Sequence, residues 1–443
     1  MNLSLQDPFA VAKEFPETLT HTLSAGGHSV IIQFNYKGDY LASGLSDGSI
    51  VVYDLASNGG VVAHLQKDGH IRAVTSLCWS RCGRYLLSSS QDWSCKLWDL
   101  SRANSPDRQV SAVIRSVRFD GPIWSAVLHP SNPFQFTASL YEDNPVYVDT
   151  TDEDKVVITT LQTQPFEANE GENSTERRTP DTEPETKKKK TEKHMTLVTT
   201  FEPRQGKYIF TGTSKGWLNI ISSETLQTVH SVKIANSNIK NLVISSNGRK
   251  LAINSSDRVI RQINLPDFVN DSNTPELWEF EVEHKYQDVV NRLQWNSVAF
   301  NHNAEFLVAS TFGQSSQDLY VWETSLGSLV KILEGSNEEL IDVKWNYSRC
   351  MIGSTGLDSG CVYLWSVQFP QKWSALAPDF VEIEENIEYD EKEDEFDIVD
   401  DEILVQKRLE QEEDLVVDIT TMEKFDARGF DIEESFVIPV KYE

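Results

Sequence analysis

The segment Gly69–Asp99 reads GHIRAVTSLCWSRCGRYLLSSSQDWSCKLWD, and its pattern decides the fold. Apolar and polar residues alternate with a period of two, as they do in half-buried strands. A polar turn around Asp92 separates two such strands, and the second one ends in Trp98-Asp99. The unit is therefore a strand, a tight turn and a strand that closes on an aromatic residue.

Similar units recur along the chain, most clearly at residues 40–54, 306–323 and 351–366. Seven equivalent positions align; they are Tyr53, Trp98, Val148, Ile221, Ile263, Trp322 and Trp365. Their spacings are 45, 50, 73, 42, 59 and 43 residues, mostly near the roughly 40–45 residues of a WD40 blade. The repeat predicts an all-β fold, a seven-bladed WD40 β-propeller over residues 1–375, whose radial closure protects its strand edges.

The longest spacing contains an insertion that is poor in apolar residues. It spans about residues 150–194, is rich in Pro, Glu and Thr, and ends in ETKKKKTEKH, so we predict that it is disordered. The Lys187–Lys190 run suits a nuclear import signal or a nucleic-acid contact. A solvated loop is the alternative, because Glu185 and Glu192 reduce the local positive charge.

Residues 376–443 form an acidic tail. They contain 25 acidic and 6 basic residues, a net charge of −19, so the rest of the chain carries only −9 of the total of −28. This composition predicts a largely disordered tail. Single apolar residues such as Ile387 and Phe396 are interspersed among the acidic residues. This pattern suits short peptides that dock on partner proteins, and a plain linker is the alternative.

The composition also excludes several classes of protein. A net charge of −28 argues against a protein that coats nucleic acid, although it permits a local basic patch. The five cysteines form no CxxC pair, so we expect reduced, buried thiols and neither a disulfide framework nor a metal site. We expect no cofactor. No apolar stretch is long enough to span a membrane, so we expect a soluble intracellular protein.

The clearest repeat combines His70, Ser88, Asp92 and Trp98. Serine, histidine and aspartate are the residue types of nucleophilic catalysis. WD40 blades, however, use the same types as a buried hydrogen-bond network, and His28 and Asp47 repeat the pattern in the preceding copy. We therefore predict a structural network, no catalytic residues and no enzyme activity.

Six segments of the chain carry a more specific similarity. They are MNLSL (1–5), SLCWSRCGRYLLSSSQDW (76–93), NSSDRVIR (254–261), QDVVNRLQW (287–295), GSLVKIL (327–333) and WSALAPDFVEIEENIEYDEKEDEFDI (373–398). Together they resemble the retinoblastoma-binding-protein-five/Swd-one family, the WD40 scaffold subunit of COMPASS and MLL-type histone methyltransferase complexes. The resemblance runs from Met1 to about Thr421, and the tail segment is its most specific part.

This resemblance implies a non-catalytic nuclear subunit that activates a SET-domain enzyme, which methylates lysine four of histone three. The implied SET-domain activation segment holds Asp379, Phe380, Glu385, Asn386, Ile387, Glu388 and Tyr389. The implied segment for the SPRY domain of the Ash-two subunit holds Glu393, Asp394, Glu395, Phe396, Asp397 and Ile398. Val417, Asp418 and Ile419 resemble the Val-Asp-Val peptide that docks on a second WD40 subunit, with Ile419 replacing the second valine.

The resemblance also implies contact with the nucleosome through basic residues on propeller loops. By their position in the repeat, Arg249, Arg258 and Arg292 are the candidates, as phosphate contacts that position the protein without reading sequence. An ordinary exposed or ion-paired arginine is the alternative for each. Another class of function, a WD40 substrate receptor of a ubiquitin ligase, would need an adaptor-docking element on the propeller, and the tail argues against it.

Overall fold

Seven four-stranded antiparallel sheets make up the described part of the chain in a computed structural model. The described residues are 15–367, 405–406 and 436–439, with gaps at 25, 105–110, 142, 153–154, 164–194, 267, 269–277, 279, 289, 314–317 and 347. Contacts divide the chain into two units. One is Lys13–Gln368 with Phe436–Glu443; the other is Met1–Ala12 with Phe369–Ser435, in which Val405 and Gln406 have helical geometry.

Each sheet is one blade, and we call its strands A to D in their order across the sheet. Blade 7 takes its D strand from the N-terminus, β1 (Thr18–Leu23). Blade 1 contains β2 (Ser29–Phe34), β3 (Tyr40–Leu45), β4 (Ile50–Asp54) and β5 (Gly60–Leu65). Blade 2 contains β6 (Val74–Trp79), β7 (Tyr85–Ser90), β8 (Ser94–Asp99) and β9 (Val113–Arg118), with a 3-10 turn at Leu100–Arg102. Blade 3 contains β10 (Ile123–Leu128), β11 (Gln135–Leu140), β12 (Val146–Asp149) and β13 (Val157–Thr160).

The remaining blades follow in chain order. Blade 4 contains β14 (Thr196–Phe201), β15 (Tyr208–Thr213), β16 (Trp217–Ser222) and β17 (Thr228–Lys233). Blade 5 contains β18 (Ile239–Ile244), β19 (Lys250–Ser255), β20 (Ile260–Asn264) and β21 (Val282–Tyr286). Blade 6 contains β22 (Gln294–Phe300), β23 (Phe306–Phe312), β24 (Leu319–Glu323) and β25 (Leu329–Leu333). Blade 7 begins with β26 (Leu340–Trp345), β27 (Met351–Gly356) and β28 (Val362–Ser366).

The propeller has two faces, which are defined by the turns that lie on them. Neighbouring A strands contact one another around the complete ring, so they line its centre. Because successive strands of a blade are antiparallel, the A–B and C–D turns lie on one face, which we call the AB face. The B–C turns and the D–A connections lie on the opposite face, the BC face.

The N-terminal strand closes the ring. β1 pairs with β28 of blade 7, and Thr20 Oγ1 lies 2.8 Å from Ser366 Oγ across this pair. Leu23, only 7% exposed, packs in one apolar cluster with Leu55 of blade 1 and Val362 of blade 7. Through Leu23, β1 therefore contributes to a core that the first and last blades share.

All seven aligned positions of the sequence repeat fall on C strands. Each is at most 4% exposed. Each pairs with a buried apolar residue on the adjacent B strand, as Trp98 does with Leu86 and Trp365 with Ile352. The predicted all-β, seven-bladed propeller is confirmed. No disulfide joins the five cysteines, all of which are described, but only Cys95 is buried, so the predicted burial is wrong for the other four. No described helix is long and apolar enough to cross a membrane.

Two segments differ from the sequence prediction. β13 (Val157–Thr160) lies within residues 150–194, so the prediction of disorder is wrong for this strand. Its four residues are mostly exposed on the outer edge of blade 3, and such a strand has little apolar periodicity to reveal it. At the end of the predicted acidic tail, Phe436–Pro439 packs on blades 1 and 2, with Ile438 buried. Residues 164–194, including Lys187–Lys190, lie outside the described part.

Ring closure can be tested at Leu23. Leu23→Ala should lower the free energy of unfolding by about 2–5 kcal/mol, because the truncated side chain leaves a cavity between blades 1 and 7. The midpoint of urea unfolding measures this loss. Leu329→Ala, on the exposed D strand of blade 6, is the control and should change the free energy of unfolding by less than about 0.5 kcal/mol. Equal effects of the two substitutions would contradict a shared core.

Candidate functional surfaces of the propeller

The predicted network in blade 2 forms one continuous chain of hydrogen bonds. Trp98 Nε1 donates to Ser88 Oγ at 2.8 Å, and Ser88 Oγ lies 2.7 Å from His70 Nε2. His70 Nδ1 lies 3.0 Å from Asp92 Oδ2. An ionised Asp92 can only accept, so Nδ1 carries the proton and Nε2 accepts from Ser88. Hydrogen bonds thus link the four residues that the sequence analysis singled out in this blade.

Asp92 is the charged end of this network. Burial alone would raise the pKa of Asp92, but hydrogen bonds from His70 and Ser94 outweigh it and hold the pKa well below its usual range. The backbone N–H of Ile71 also donates to Asp92 Oδ2, at 3.2 Å. The carboxylate thus ties the connection between blades 1 and 2 to the B–C turn of blade 2.

The same geometry is unsuited to catalysis. Ser88 is fully buried, at 0% exposure, and His70 is 7% exposed. The Ser88 hydroxyl is enclosed between Trp98 and His70, so a substrate could not reach it without opening the blade. Among the described residues, no cluster of three or more His, Cys, Asp or Glu is arranged to hold a metal ion.

Blade 1 uses the equivalent residues differently. His28 Nε2 lies 2.7 Å from the carbonyl of Leu357 in blade 7, and Asp47 accepts from the backbone N–H and the hydroxyl of Ser49. The expected repetition of the blade 2 network therefore does not extend to the His28–Asp47 pair. The two residues instead stabilise a blade junction and the adjoining turn.

Blade 7 ties its turn with a carboxylate in the place of the histidine. Glu338 accepts from the backbone N–H groups of Asp358 and Ser359, at 2.7 and 2.8 Å, and from the hydroxyls of Ser359 and Tyr363. Burial would raise the pKa of Glu338, but these hydrogen bonds outweigh it and lower the pKa. Glu338 thus ties the connection that enters blade 7 to the B–C turn of that blade.

The structure separates the three arginines predicted to contact DNA. All three are exposed. Arg258 lies in the B–C turn of blade 5 and Arg292 in the connection that enters blade 6, so both are on the BC face. Their segments are joined, because Trp295 Nε1 donates to the carbonyl of Arg258 at 3.1 Å. Arg249 lies in the A–B turn of blade 5, on the opposite face, so it cannot join the other two in one patch.

Two lysines that the sequence did not single out lie on the same face as Arg258. Lys233 ends the D strand of blade 4, and Lys240 is near the start of the A strand of blade 5. The Nζ atom of Lys240 lies 5.5 Å from the centre of the exposed Phe312 ring of blade 6. Burial lowers the pKa of Lys240. By the strand ends and turns at which they stand, the two lysines share the BC face with Arg258 and Arg292.

Exposed aromatic residues form a second feature of the BC face. Trp124 and Tyr141 of blade 3 stack with their ring centres 6.3 Å apart and are 48% and 51% exposed. Trp93, in the B–C turn of blade 2, is 41% exposed. The sequence analysis did not single out these residues, because Trp93 and Tyr141 lie in turns and Trp124 is an exposed residue near the start of β10, where there is no apolar periodicity to follow.

All residues of the predicted tail segments lie outside the described part of the chain. They are Asp379, Phe380, Glu385, Asn386, Ile387, Glu388, Tyr389, Glu393, Asp394, Glu395, Phe396, Asp397, Ile398, Val417, Asp418 and Ile419. Their assignments stay predictions.

Comparison with known proteins finds WD repeats and a similar β-propeller structure. The model of the WD domain, G-beta repeat, matches residues 17–54 and 62–99. Each match starts at the D strand of one blade and ends at the C strand of the next. A crystal structure of the Myceliophteria thermophila Cps50 (Swd1) β-propeller domain is 39% identical with a TM-score of 0.68, covering 79% of this chain and all of that one.

Full-length relatives extend the similarity beyond the propeller. COMPASS component SWD1 of Saccharomyces cerevisiae is 44% identical over 448 residues, covering 100% of this chain and 98% of the relative. Set1 complex component swd1 of Schizosaccharomyces pombe is 44% identical, covering 90% of this chain and 91% of the relative. The retinoblastoma-binding protein 5 homolog of Drosophila melanogaster is 31% identical, covering 96% of this chain and 78% of the relative.

The role of Asp92 can be tested by its pH dependence. Asp92→Asn should lower the free energy of unfolding by about 1–3 kcal/mol at neutral pH, because His70 and Ser94 lose a charged acceptor. The folded-state pKa of Asp92 is depressed, so its contribution is present above the unfolded pKa of about 4 and is lost as the pH falls below it. Urea unfolding between neutral pH and about pH 3 should show the difference shrinking with acid. Asp120→Asn removes an exposed carboxylate on the same face and should leave the free energy of unfolding nearly unchanged. An effect of Asp92→Asn that is as large at about pH 3 as at neutral pH would contradict the assignment.

Proposed function

Because the chain belongs to the family of Swd1 and the retinoblastoma-binding protein 5 homologues, we propose that it is a scaffold subunit of a COMPASS-type histone methyltransferase complex. The observation that carries this proposal is the extent of similarity, which includes the acidic tail as well as the propeller. The subunit acts without catalysis of its own, and it helps to activate the SET-domain enzyme that methylates lysine four of histone three. Its place of action is the nucleus.

We propose that the tail binds three other subunits of the complex. The segment Asp379–Tyr389 activates the SET domain, Glu393–Ile398 binds the SPRY domain of the Ash-two subunit, and Val417–Ile419 docks on a second WD40 subunit. Acidic residues around Phe396 and Ile398 steer association with a basic surface, and the two apolar side chains then set the register. Several short peptides on one tail raise the effective concentration of each partner for the next.

Activation by the tail follows from a population shift. If residues 385–387 bind the competent arrangement of the SET domain more tightly than its other arrangements, they increase its population. The tail then changes the rate of methylation without touching the reacting atoms. The hydroxyl of Ser88, which lies 2.7 Å from His70 Nε2, is enclosed in blade 2, and this burial supports the non-catalytic role.

The BC face is the proposed nucleosome-facing surface. Arg258 and Arg292 lie on it with Lys233 and Lys240. The chain outside the acidic tail has a net charge of −9, so only a local basic surface of this kind could attract DNA. Contacts with phosphates position a protein on DNA without reading sequence. Arg249, on the AB face, is left out of this surface. The alternative of a ubiquitin-ligase substrate receptor is not supported, since the relatives are components of COMPASS and Set1 complexes.

The tail segments can be tested in a reconstituted complex that methylates nucleosomes. Glu385→Ala/Asn386→Ala/Ile387→Ala should lower the rate about tenfold or more while the complex stays assembled. Phe396→Ala/Ile398→Ala should instead release the Ash-two subunit in gel filtration. Glu412→Ala/Glu413→Ala/Asp414→Ala removes three acids but no predicted anchor, so it should retain the wild-type rate. Unchanged rates in the first two variants would refute the assignment of the tail.

The nucleosome-facing surface can be tested by the salt dependence of binding. Each phosphate contact contributes about 0.9 to the slope of log K against log salt, so Arg258→Ala/Arg292→Ala should reduce that slope by nearly 2. Arg249→Ala is the matched control on the opposite face and should leave the slope unchanged. A loss of slope with Arg249→Ala alone would place the DNA on the AB face.

A further inference from the structure

The C-terminal segment Phe436–Pro439 lies on a part of the propeller that is distant in sequence. It belongs to the same compact unit as the seven blades. Its side chains alternate as in an extended strand: Phe436 is partly buried, Val437 is 68% exposed and Ile438 is 1% exposed. The segment therefore presents one apolar side to the propeller and one to solvent.

The receiving surface is a groove between blades 1 and 2. Ile438 belongs to the apolar cluster of Ile50, Ala63 and Leu65 of blade 1 and of Leu100 of blade 2. The partly buried residues of the groove share an apolar or aromatic character; they are Tyr36, Tyr40, Val62, Ala103, Ala112 and Val113. Ile50 and Leu65 stand at the BC-face ends of their strands, but Tyr40 and Asn104, which contact the segment directly, stand at an A–B and a C–D turn. The segment therefore lies at the AB face, away from the BC-face arginines.

Polar groups fix the backbone of the segment. Asn104 Nδ2 donates to the carbonyl of Pro439 at 2.8 Å and to the carbonyl of Val62 at 2.8 Å. An amide has two N–H groups, so one side chain can bridge the segment and the outer strand of blade 1. The N–H of Ile438 donates to Tyr40 Oη at a longer distance of 3.4 Å. The apolar cluster receives the side chains of Phe436 and Ile438. Asn104 and Tyr40 bind backbone groups of the segment and so set its direction.

We propose that this groove is a specific binding site for the chain's own C-terminal segment, Phe436–Pro439. The segment is an apolar run directly after Asp431, Glu433 and Glu434, so it is chemically distinct from the tail that carries it. Attachment to the same chain supplies a high effective concentration, which compensates for the small size of the contact.

The site has a consequence for the acidic segment between the last blade and the groove. Residues 369–435 include every predicted docking peptide of the tail, and they are covalently continuous with propeller-bound residues at both ends. The segment that carries those peptides is therefore attached to the propeller at both of its ends. This consequence rests on the proposed function; the binding site itself does not.

Hydrogen–deuterium exchange of the full-length chain tests the site directly. In the wild type, the Val437 and Ile438 amides should exchange at least about tenfold more slowly than in a free peptide of residues 432–443. Ile438→Asp puts a charge in the apolar cluster and should bring exchange to the rate of the free peptide with the same substitution. Val437→Asp changes the adjacent exposed residue in the same way and should retain the protection. Asn104→Asp replaces the bridging donor with an acceptor facing two carbonyls and should also remove it.

A second measurement uses the vacated groove. A labelled peptide of residues 432–443 should bind the full-length Ile438→Asp chain at least about tenfold more tightly than the wild-type chain, whose groove is filled. Rapid exchange at Val437 and Ile438 in the wild type would overturn the proposal whatever the methylation assay shows. Protection that appears only together with concentration-dependent dimers would also overturn it, since the occupant would then be the segment of a second copy.

Discussion

The structure depends on the pairing of β1 with β28, because this pairing turns a row of seven sheets into a ring. A sheet that ends in an unpaired strand exposes backbone groups and an apolar face. A second link operates at the inner end of the same junction. Asp342, on the A strand of blade 7, accepts from the Ile32 N–H of blade 1 at 3.2 Å and from Ser297 Oγ of blade 6 at 2.8 Å. Blade 7 is thus fastened at its outermost and its innermost strand.

Ring closure makes each blade a rigid support for its turns, and the turns are tied down by different chemistry in different blades. Blade 2 uses His70 with Asp92, blade 7 uses Glu338 with Ser359, and blade 5 uses an ion pair of Asp257 with Arg261. These contacts hold the BC face in place. Side chains that the ties do not use, such as Trp124 and Arg292, stay exposed on that rigid surface and are available to partners.

The propeller therefore separates three tasks in space. The interior maintains the ring, the BC face carries basic and aromatic side chains, and the groove on the AB face holds Phe436–Pro439. The acidic segment between the last blade and the groove carries the peptides proposed to bind the other subunits. A scaffold of this kind needs no active site, since its contribution is to place several partners at fixed positions relative to one another.

The sequence by itself determined the number of blades and the position of their C strands, because an aromatic or aliphatic residue at each of seven spaced positions is required by the core of every blade. It also singled out the blade 2 residues, whose types together suit the buried hydrogen-bond network of a WD40 blade, but it wrongly extended that network to His28 and Asp47. It missed β13, because an exposed outer strand has no apolar periodicity. Tertiary structure alone decided that Arg249 and Arg258, nine positions apart by their numbers, lie on opposite faces, since a single strand crosses the whole propeller between them. It alone also decided that Ile438 is buried, because the groove that receives it is assembled from two blades at the other end of the chain.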